Sequence, residues 1–525
     1  MSETEPIRAR WSKDTSNWRR PMFALLILLP FLVLAIVYLK ISLQLVFARN
    51  DTTYPEGASV YAFLTALRTG KLYTLPFDFP YNVQLYGPIF YLTGLVLSKA
   101  AHGDPMMTTI LFRLLSFLSL LGSAGLIGFL SWKLEEKKHW AAASIVLSLA
   151  CVWAPEYSAS ARPDFLSIFL MLGALTVYEL AHGRSRLILW AGVLGSLSCL
   201  TKQSAAPILF ALLIDTLMAR RFRNSVALIA GAVPVPALIL ATLWLRREPF
   251  LANLLGEQHA FFSWPMLAPT VLTIIRTDQI AIIPFSAALL GVVLSWRKEK
   301  YRAVLLAFGL ACFSNLAALA LAGGNTNYLI LPWLLMVVMA PAGLVKIEEW
   351  ARRSALIPLG LTVLGGFLLI HQRNVLLPKL PANLDTYNVD KLKMLSSLPY
   401  LELHSRQPQL LDPYLYHQFS LQNVWSIAPI VQQIDEEQYD LIVISGSDSP
   451  ADSEFRVSSR GTSGWGADTL GPMASHYRVL CEVPDFLALV PRNRANVLQD
   501  KDIARIFGQP CRATSRTPQL APGMR

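Results

Sequence analysis

The stretch RNDTTYPEGASVYAFLTALRTGKLYTLPFDFPYNVQLYGPIFY, Arg49–Tyr91, separates the first two long apolar segments of the chain. It is far longer than a tether between adjacent helices needs to be, and long loops are usually functional or disordered. Its many tyrosine and phenylalanine residues argue against disorder. Because the stretch begins where an apolar segment ends, we expect Asp51 and Glu56 to lie near the boundary between lipid and water.

Part of this stretch has helical periodicity. Between Glu56 and Thr69, four apolar residues fall at positions i, i+3, i+4 and i+7: Val60, Phe63, Leu64 and Leu67. Gly70 then provides a fitting helix end. The pattern predicts an amphipathic helix on the membrane surface, followed by a second apolar piece over Tyr86–Leu97.

The composition excludes a soluble globular protein. Hydrophobic residues make up 54% of the 525 residues and charged residues 15%, whereas soluble domains carry about a quarter charged residues. The mean hydropathy is +0.43. A crossing of the bilayer needs about 20 mostly apolar residues. The sequence predicts about eleven crossings: Phe23–Phe47, Met107–Trp132, Trp140–Ala154, Phe165–Ala181, Leu187–Leu200, Ala205–Met218, Val226–Leu245, Ile280–Trp296, Val304–Ala322, Tyr328–Val345 and Ala355–Ile370.

Lys and Arg residues are concentrated at the N-terminus and in alternate loops, for example at 133–138, 220–223 and 297–302. The positive-inside rule therefore predicts a cytoplasmic N-terminus over residues 1–20. It also places the long loop of the membrane domain, 49–106, on the outer side. The formal net charge of +11 mostly reflects the cytoplasmic loops, and we predict no nucleic-acid partner. The membrane domain is expected to span 21–370.

The composition changes after this domain, so we expect 371–525 to form a small α/β domain outside the cytoplasm. LIVISGSD (Leu441–Asp448) and FLALVPR (Phe486–Arg492) are typical of strands. SIAPIVQQIDEEQ (Ser426–Gln438) is typical of a helix with Ser426 as its N-cap. Cys481 and Cys511 are the two cysteines of this domain. Since oxidising compartments favour disulfides, we predict that they pair.

Four polar groups are expected on the outer side. They are Asp51 with Glu56, the ARPD motif (Ala161–Asp164), the TKQS turn (Thr201–Ser204) and the GGNTNY turn (Gly323–Tyr328), and Arg113 adds a charge near the outer end of the second span. Each group also has a structural interpretation: a solvated loop residue or helix cap, a local ion pair, or a simple turn. Lys202 is the least easily explained in this way, because it lies on the side that otherwise avoids Lys and Arg.

In order along the chain, these residues resemble the membrane glycosyltransferases of the C-type fold. The matching elements are YPEG with a following Tyr, NVQLYGPIFY, FRLLS, RPDFLS, TKQS and NTNYL, over residues about 20–345. The likeness is to the bacterial branch of dolichyl-phosphate-mannose-protein mannosyltransferase-like and lipid A aminoarabinose-transferase-like proteins. It implies an all-α membrane bundle in the inner membrane. It also implies sugar transfer from a polyprenyl-phosphate donor to a glycan, lipid or protein acceptor.

The resemblance also implies roles for the matching residues. An acid of the first outer loop acts as general base, which points to Glu56 or Asp51, and this choice stays open. Basic residues of the outer turns bind the donor phosphate, which points to Lys202, with Arg113 and Arg162 as further candidates. The remaining site candidates come from the matching motifs: Asp164, Gln203, Tyr86, Asn327 and Tyr328.

No cofactor is predicted, although some members of such families hold a divalent metal near the acids. Glu257 and His259 lie in another outer loop, but their spacing matches no known ligand motif. Two other classes of protein stay open at this stage. One is a transporter or flippase of lipid-linked sugar, whose site would lie near the middle of the bilayer. The other is a non-catalytic assembly protein of the cell envelope.

Overall fold

The computed structural model describes residues 7–512, apart from 54–55, 77–78, 80, 137, 257–266, 269–270, 273–278, 321–324, 352–355, 372–382, 387, 410–411, 422–423, 446–464, 466, 484–485 and 495–497. The Glu257–His259 pair, Tyr54–Pro55 and the two glycines of GGNTNY lie outside the described residues.

Helices make up the N-terminal two thirds of the chain. They are α1 (Ile7–Val46), α2 (Glu56–Thr69), α3 (Pro88–Ala100), α4 (Pro105–Glu135), α5 (Lys138–Leu149), α6 (Ala154–Ser158), α7 (Asp164–Ala181), α8 (Ser185–Thr201), α9 (Ala206–Met218), α10 (Phe222–Ala232), α11 (Pro234–Leu245), α12 (Phe250–Gly256), α13 (Ile282–Ser295), α14 (Arg302–Leu319), α15 (Asn327–Ala351) and α16 (Leu356–His371).

Six segments of the described chain are long and apolar enough to cross a membrane: Leu26–Val46, Pro105–Glu135, Asp164–Ala181, Phe222–Leu245, Glu299–Leu319 and Asn327–Trp350. Five further apolar helices are shorter, at 10–17 residues. Ten of the eleven predicted crossings coincide with one of these eleven segments. The chain is therefore a multi-pass membrane protein.

The predicted crossing Trp140–Ala154 is the exception. Helix α5 ends at Leu149, and the short helix α6 begins at Ala154. Pro155 accounts for this break, because proline disfavours helical geometry in the residue before it and is accepted in the first turn of a new helix. The 12-residue α5 is too short to cross the bilayer alone.

The predicted helix of the outer loop has the predicted bounds. Helix α2 runs from Glu56 to Thr69, and Gly70 follows with a φ of +70°, in the left-handed region that glycine adopts without strain. The helix does not lie alone on the membrane surface. Its apolar face packs against α3 and α4, where the Phe63 ring lies 5.1 Å from Phe90 and 5.2 Å from Phe112.

The C-terminal segment forms a four-stranded mixed sheet with small helices. Its strands are β1 (Met394–Ser396), β2 (Leu441–Ser445), β3 (Tyr477–Val483) and β4 (Phe486–Pro491), in the order β1-β2-β4-β3. Strands β1 and β2 are parallel, and the other neighbours are antiparallel. Its helices are α17 (Pro399–His404), α18 (Pro413–Leu421), α19 (Ala428–Asp435), α20 (Ala467–His476) and α21 (Asp500–Phe507).

Both faces of this sheet are buried. On β2, Leu441 and Val443 belong to one apolar core while Ile442 and Ile444 belong to another, as alternation along a strand requires. The strands predicted at 441 and 486 are thus confirmed. The predicted helix begins at Ala428 rather than directly after Ser426, whose hydroxyl accepts the Ala428 N–H at 3.2 Å.

The sheet domain packs directly on the long loop of the membrane bundle. The Tyr81 ring stacks on Trp425 at 4.6 Å between centroids, and its hydroxyl donates to the Ser426 carbonyl at 2.9 Å. At the end of α1, the Arg49 carbonyl accepts the Leu384 N–H at 2.9 Å. The loop and the C-terminal domain therefore lie at the same end of the bundle. In this domain Cys481 and Cys511 form the predicted disulfide.

Candidate active site

Glu56 begins α2 and is 1% exposed. Its carboxylate accepts the Thr52 N–H at 2.9 Å and the Thr52 hydroxyl at 3.1 Å. It also accepts Arg113 through Nε at 2.8 Å and Nη2 at 2.6 Å, and the Ala161 N–H at 2.5 Å. Five donors therefore surround one carboxylate, more than its usual four acceptor positions. Such a group is well placed to hold neighbouring segments together and poorly placed to accept a proton from a substrate.

Arg113 lies in α4 and is fully buried. Besides its two bonds to Glu56, its Nη1 donates to the carbonyls of Leu45 and Ala48, and its Nη2 donates to the carbonyl of Asn50. These five bonds use all five N–H donors of a guanidinium. Arg113 therefore has no donor left for the phosphate contact that the sequence resemblance implied, and its geometry assigns it to fixing the end of α1.

Asp51 has a different environment. Its Oδ1 accepts the Gly57 N–H at 2.8 Å, and its Oδ2 accepts the Tyr400 N–H at 2.7 Å. The residue is partly exposed, so each oxygen keeps a lone pair for a further partner. Burial, and then the negative charge of Glu56, raise the pKa of Asp51 to about 7. A general base works best when its pKa lies near the working pH.

A second cluster begins one residue after the Ala161 amide that Glu56 holds. Arg162 and Lys202 both pair with Asp164, through Nε at 3.4 Å and Nζ at 2.5 Å. The Asn327 amide donates to the same carboxylate at 2.8 Å. Asp164 is almost completely buried, whereas the Arg162 side chain is 11% exposed. Two cations around one carboxylate leave a surplus of positive charge, which suits an anionic ligand.

Aromatic rings surround the two cations. Lys202 Nζ lies 4.7 Å from the centre of the Tyr328 ring, and the Arg162 guanidinium lies 5.6 Å from that of Tyr157. Tyr86 is a further electrostatic neighbour of Arg162. A ring face attracts a cation and excludes water, so these contacts strengthen the interaction of both cations with any bound anion.

A small cavity of about 20 Å³, roughly the room of one water molecule, adjoins this cluster. Asp164, Lys202, Asn315 and Asn327 are among its lining residues. Among the described residues, the buried Asn327 Oδ1 has no hydrogen-bond partner. Asp164 thus holds both cations, and Asn327 supports Asp164.

The TKQS turn is held against the outer loop. Lys202 adopts an extended conformation between α8 and a short 3-10 turn at Gln203–Ala205. The Gln203 side chain donates to the Leu85 carbonyl at 2.8 Å. A Cβ on Gly87 would lie 2.0 Å from the Leu200 carbonyl oxygen, so only glycine allows this approach. This contact explains why the Tyr86-Gly87-Pro88 sequence and the TKQS turn belong to one site.

The ten site residues predicted from the sequence therefore fall in one connected region. Asp51, Glu56 and Arg113 form one cluster, and Arg162, Asp164, Lys202, Asn327 and Tyr328 form the other, with Tyr86 and Gln203 beside it. The two clusters are joined through Glu56 and the Ala161 N–H.

Sequence reasoning missed three members of this region. Tyr157 precedes the ARPD motif in a turn rich in polar residues, and this position is a signal that could have been used. Thr52 binds Glu56 from four residues upstream, one more than the spacing of a capping box, so that motif does not predict this contact. Tyr400 contacts Asp51 from the C-terminal domain, and no local pattern predicts such a contact.

The family resemblance also left a divalent metal open. The described residues contain no group of three or more His, Cys, Asp or Glu side chains that could hold a metal ion. Of the two acids at the start of α2, Glu56 is fully occupied by its five donors, and only Asp51 keeps lone pairs. One carboxylate does not fit a metal site.

No protein-family model and no curated protein matches the sequence. Solved structures do match. ArnT from Cupriavidus metallidurans, bound to undecaprenyl phosphate, has a TM-score of 0.51 and 12% identity over 86% of this chain and 97% of its own. The apo oligosaccharyltransferase of Archaeoglobus fulgidus has a TM-score of 0.52 and 12% identity over 89% of this chain and 75% of its own.

Both structures are similar to this chain along nearly its whole length, including the C-terminal domain. Both are of the C-type fold. At this level of identity the likeness concerns the arrangement of the helices and not the choice of substrate. The all-α C-type membrane bundle with a small C-terminal α/β domain, which the sequence predicted, is the fold of this protein.

Proposed function

We propose that this protein is an integral membrane glycosyltransferase that moves a sugar from a polyprenyl-phosphate donor to an acceptor. The observation that carries the proposal is that Glu56 connects two neighbouring clusters: Asp51 accepts the N–H of Gly57, next to Glu56, and Glu56 accepts the N–H of Ala161, next to Arg162. A carboxylate with a pKa near neutrality thereby lies in the same region of the fold as the desolvated cations of Arg162 and Lys202. These are the two groups that glycosyl transfer from a phosphate requires.

Asp51 is the proposed general base. It takes the proton of an acceptor hydroxyl while the acceptor oxygen forms its bond to the anomeric carbon of the sugar. Glu56, the other sequence candidate, is assigned to positioning because five donors already occupy its carboxylate. Arg113 has the same positioning role through its bonds to Glu56 and to the end of α1.

Lys202 and Arg162 are the proposed phosphate ligands. As the bond between the anomeric carbon and the phosphate oxygen breaks, negative charge builds up on the departing polyprenyl phosphate, and fixed cations stabilise it. Asp164 holds Lys202 at the site, Asn327 donates to Asp164, and the Tyr328 ring shields Lys202. ArnT shares the fold, and its structure was solved with bound undecaprenyl phosphate. This bound lipid supports the choice of a lipid phosphate as donor.

The site lies at one end of the bundle, where α1 and α8 end and where α7 and α15 begin. Tyr178 and Arg302 bind Asp215 at the opposite end, beside the basic loops. We therefore assign the site and the domain at 371–525 to the outer side of the cytoplasmic membrane, and residues 1–20 to the cytoplasm. Binding at helix ends rather than at mid-helix breaks favours an enzyme over a transporter.

The test is sugar transfer and donor binding measured on the same purified protein in nanodiscs. A panel of polyprenyl-phosphate sugars serves for transfer, and undecaprenyl phosphate serves for binding by native mass spectrometry. We expect Asp51→Asn to lose transfer by about 10²–10⁴-fold with binding kept. Lys202→Met should weaken binding, while Lys99→Gln, which removes an exposed cation from α3, should change neither. Wild-type transfer by Asp51→Asn would refute the proposed base.

A further inference from the structure

We propose that a second cleft, between α2 and the segment that follows α11, binds the acceptor, and that this acceptor is an anionic glycan. The cleft measures about 510 Å³ and lies within the range of small-molecule sites. The inference rests on the proposed function, since it names the substrate that would meet the general base.

The charge of the cleft points to an anion. Lys71 and Arg247 both line it and are both exposed, and neither has an ion-pair partner among the described residues. None of the described residues that line the cleft is acidic. Arg247 has a φ of +52°, the left-handed conformation that commonly ends a helix, here α11.

The other lining groups suit a sugar. Tyr61 contributes an aromatic ring, and Thr65 and Thr69 contribute hydroxyl groups. Aromatic rings pack against the C–H faces of a sugar ring, and hydroxyl groups exchange hydrogen bonds with its own hydroxyls. An aliphatic chain could not pair with these hydroxyl groups, which therefore favour a glycan over a lipid tail.

A buried polar group in the cleft also indicates a polar ligand. Asn82 is 6% exposed and lines the cleft, and its buried Nδ2 has no hydrogen-bond partner among the described residues. An unpaired buried donor costs about 1–3 kcal/mol, and such groups are usually explained by a ligand or an ordered water. An oxygen of a bound sugar or phosphate would satisfy it.

The cleft is a built site rather than a gap between two mobile loops. The Glu248 carboxylate is buried and accepts the backbone N–H groups of Leu72 and Tyr73 at 2.8 and 3.1 Å. The Asn253 side chain accepts the Gln84 N–H at 2.9 Å and donates to the Thr74 carbonyl at 2.8 Å. The two sides of the cleft are therefore fixed to each other by buried polar contacts.

The cleft is also aligned with the proposed base. Asp51 accepts the N–H of Gly57, and Tyr61, Thr65 and Thr69 follow at intervals of four residues along α2. Residues four apart lie on one face of a helix, with a rise of about 6 Å per interval. Tyr61, which lines the cleft, therefore lies about one helical turn from the residue that Asp51 binds. An acceptor held there by its anionic group would extend a hydroxyl toward the base.

The test uses glucose 6-phosphate as probe, with glucose and inorganic phosphate as its two halves, and ligand-observed NMR on the full-length protein in detergent. We expect glucose 6-phosphate to bind at least tenfold more tightly than either half. Lys71→Gln and Arg247→Gln should each weaken its binding by about tenfold, as loss of a charge-assisted hydrogen bond implies. Lys99→Gln is the matched control and should leave binding unchanged.

Three results would overturn the inference. Inorganic phosphate binding as tightly as the sugar phosphate would indicate a simple anion site. Unchanged binding in both cleft variants would place the probe elsewhere. Protection of Lys71 from acetylation by phosphatidylglycerol nanodiscs, without sugar-phosphate binding, would mean that the cations face lipid. Because no donor is present, these outcomes are independent of the transfer assay. Binding of the sugar phosphate without any sugar transfer would instead support the binding site in the cleft and refute the proposed function.

Discussion

Asp51 Oδ2 accepts the backbone N–H of Tyr400 at 2.7 Å, across 349 residues of sequence. Its Oδ1 accepts the Gly57 N–H at the start of α2. One carboxylate therefore joins the first turn of a helix in the membrane domain to the first turn of α17 in the C-terminal domain. The proposed base is positioned by both domains, so the C-terminal domain is part of the proposed active site.

The first prediction is the pH dependence of transfer. Asp51 must be deprotonated to act as a base, and its pKa is raised from 3.8 to about 7. We expect kcat/KM to rise tenfold per pH unit below pH 7 and to level off above it, in steady-state transfer assays. A midpoint near 4 would contradict the assignment of Asp51 as the base, because about 4 is the pKa of an aspartate carboxyl group in water.

The same raised pKa affects stability in a defined direction. The folded state binds the Asp51 proton more tightly than the unfolded state does, so stability falls as the pH rises from about 4 to about 7.

Glu56→Gln removes a charge that raises the pKa of Asp51, and we expect it to move the kinetic midpoint below 7. An unchanged midpoint in a folded Glu56→Gln protein would show that the titrating group is not Asp51.

The second prediction concerns the buried pair of Glu56 and Arg113. Because their bidentate contact is fully buried, removing either partner leaves the other charge uncompensated. We expect Glu56→Gln and Arg113→Gln each to destabilise the protein by about 3–5 kcal/mol, measured by denaturant unfolding in detergent. The double variant should lose less than the sum by about 1–3 kcal/mol. Additive losses would mean that the two side chains act independently.

The sequence predicted those parts of the fold that depend on local patterns. The bounds of α2 follow from its apolar spacing and from Gly70, and the strands at Leu441 and Phe486 follow from apolar runs between turn residues. The end of α5 does not follow from the length of its apolar run, and Pro155 is the local signal for it. Proline interrupts a helix whatever the hydropathy of the residues around it.

The predicted site residues are brought together, but their roles depend on contacts that are distant in sequence. Nothing near Glu56 indicates that Arg113, 57 residues away, and the Ala161 amide occupy its carboxylate. Likewise, only the fold shows that all five donors of Arg113 are used. Sequence patterns can therefore place charged groups at one end of a bundle, whereas the choice between base and structural partner requires the three-dimensional environment.

The third prediction separates the cations of the second cluster. Lys202→Met should weaken undecaprenyl phosphate binding by about 10–100-fold, since a charge-assisted hydrogen bond contributes roughly 1.5–3 kcal/mol. Lys202→Arg should not restore affinity, because the adjoining cavity of about 20 Å³ does not accommodate a planar guanidinium. Native mass spectrometry measures both. Full affinity in Lys202→Met would leave Arg162 as the principal ligand and remove Lys202 from the proposed site.

The fourth prediction concerns the disulfide of the C-terminal domain. Cys481 lies on β3 and Cys511 follows α21, with a sequence separation of 30. Closing a loop of this size is expected to stabilise the domain by about 3–4 kcal/mol. We expect the Cys481→Ser/Cys511→Ser protein to unfold at lower denaturant concentration. Thiol trapping of the denatured, non-reduced wild type should find three free cysteines. Five free cysteines would contradict the pairing.

The fifth prediction is the orientation in the membrane. Basic loops lie at the end of the bundle that carries Asp215 and Arg302, and the proposed site lies at the other. A reporter that is active only outside the cytoplasm should therefore work when fused after Arg525 and fail when inserted at Arg221. A reporter active only in the cytoplasm is the matched control and should give the opposite result. Activity of the first reporter at Arg221 alone would invert the bundle. The carboxylate and cations would then face the cytoplasm, and the acceptor would have to be supplied from that side.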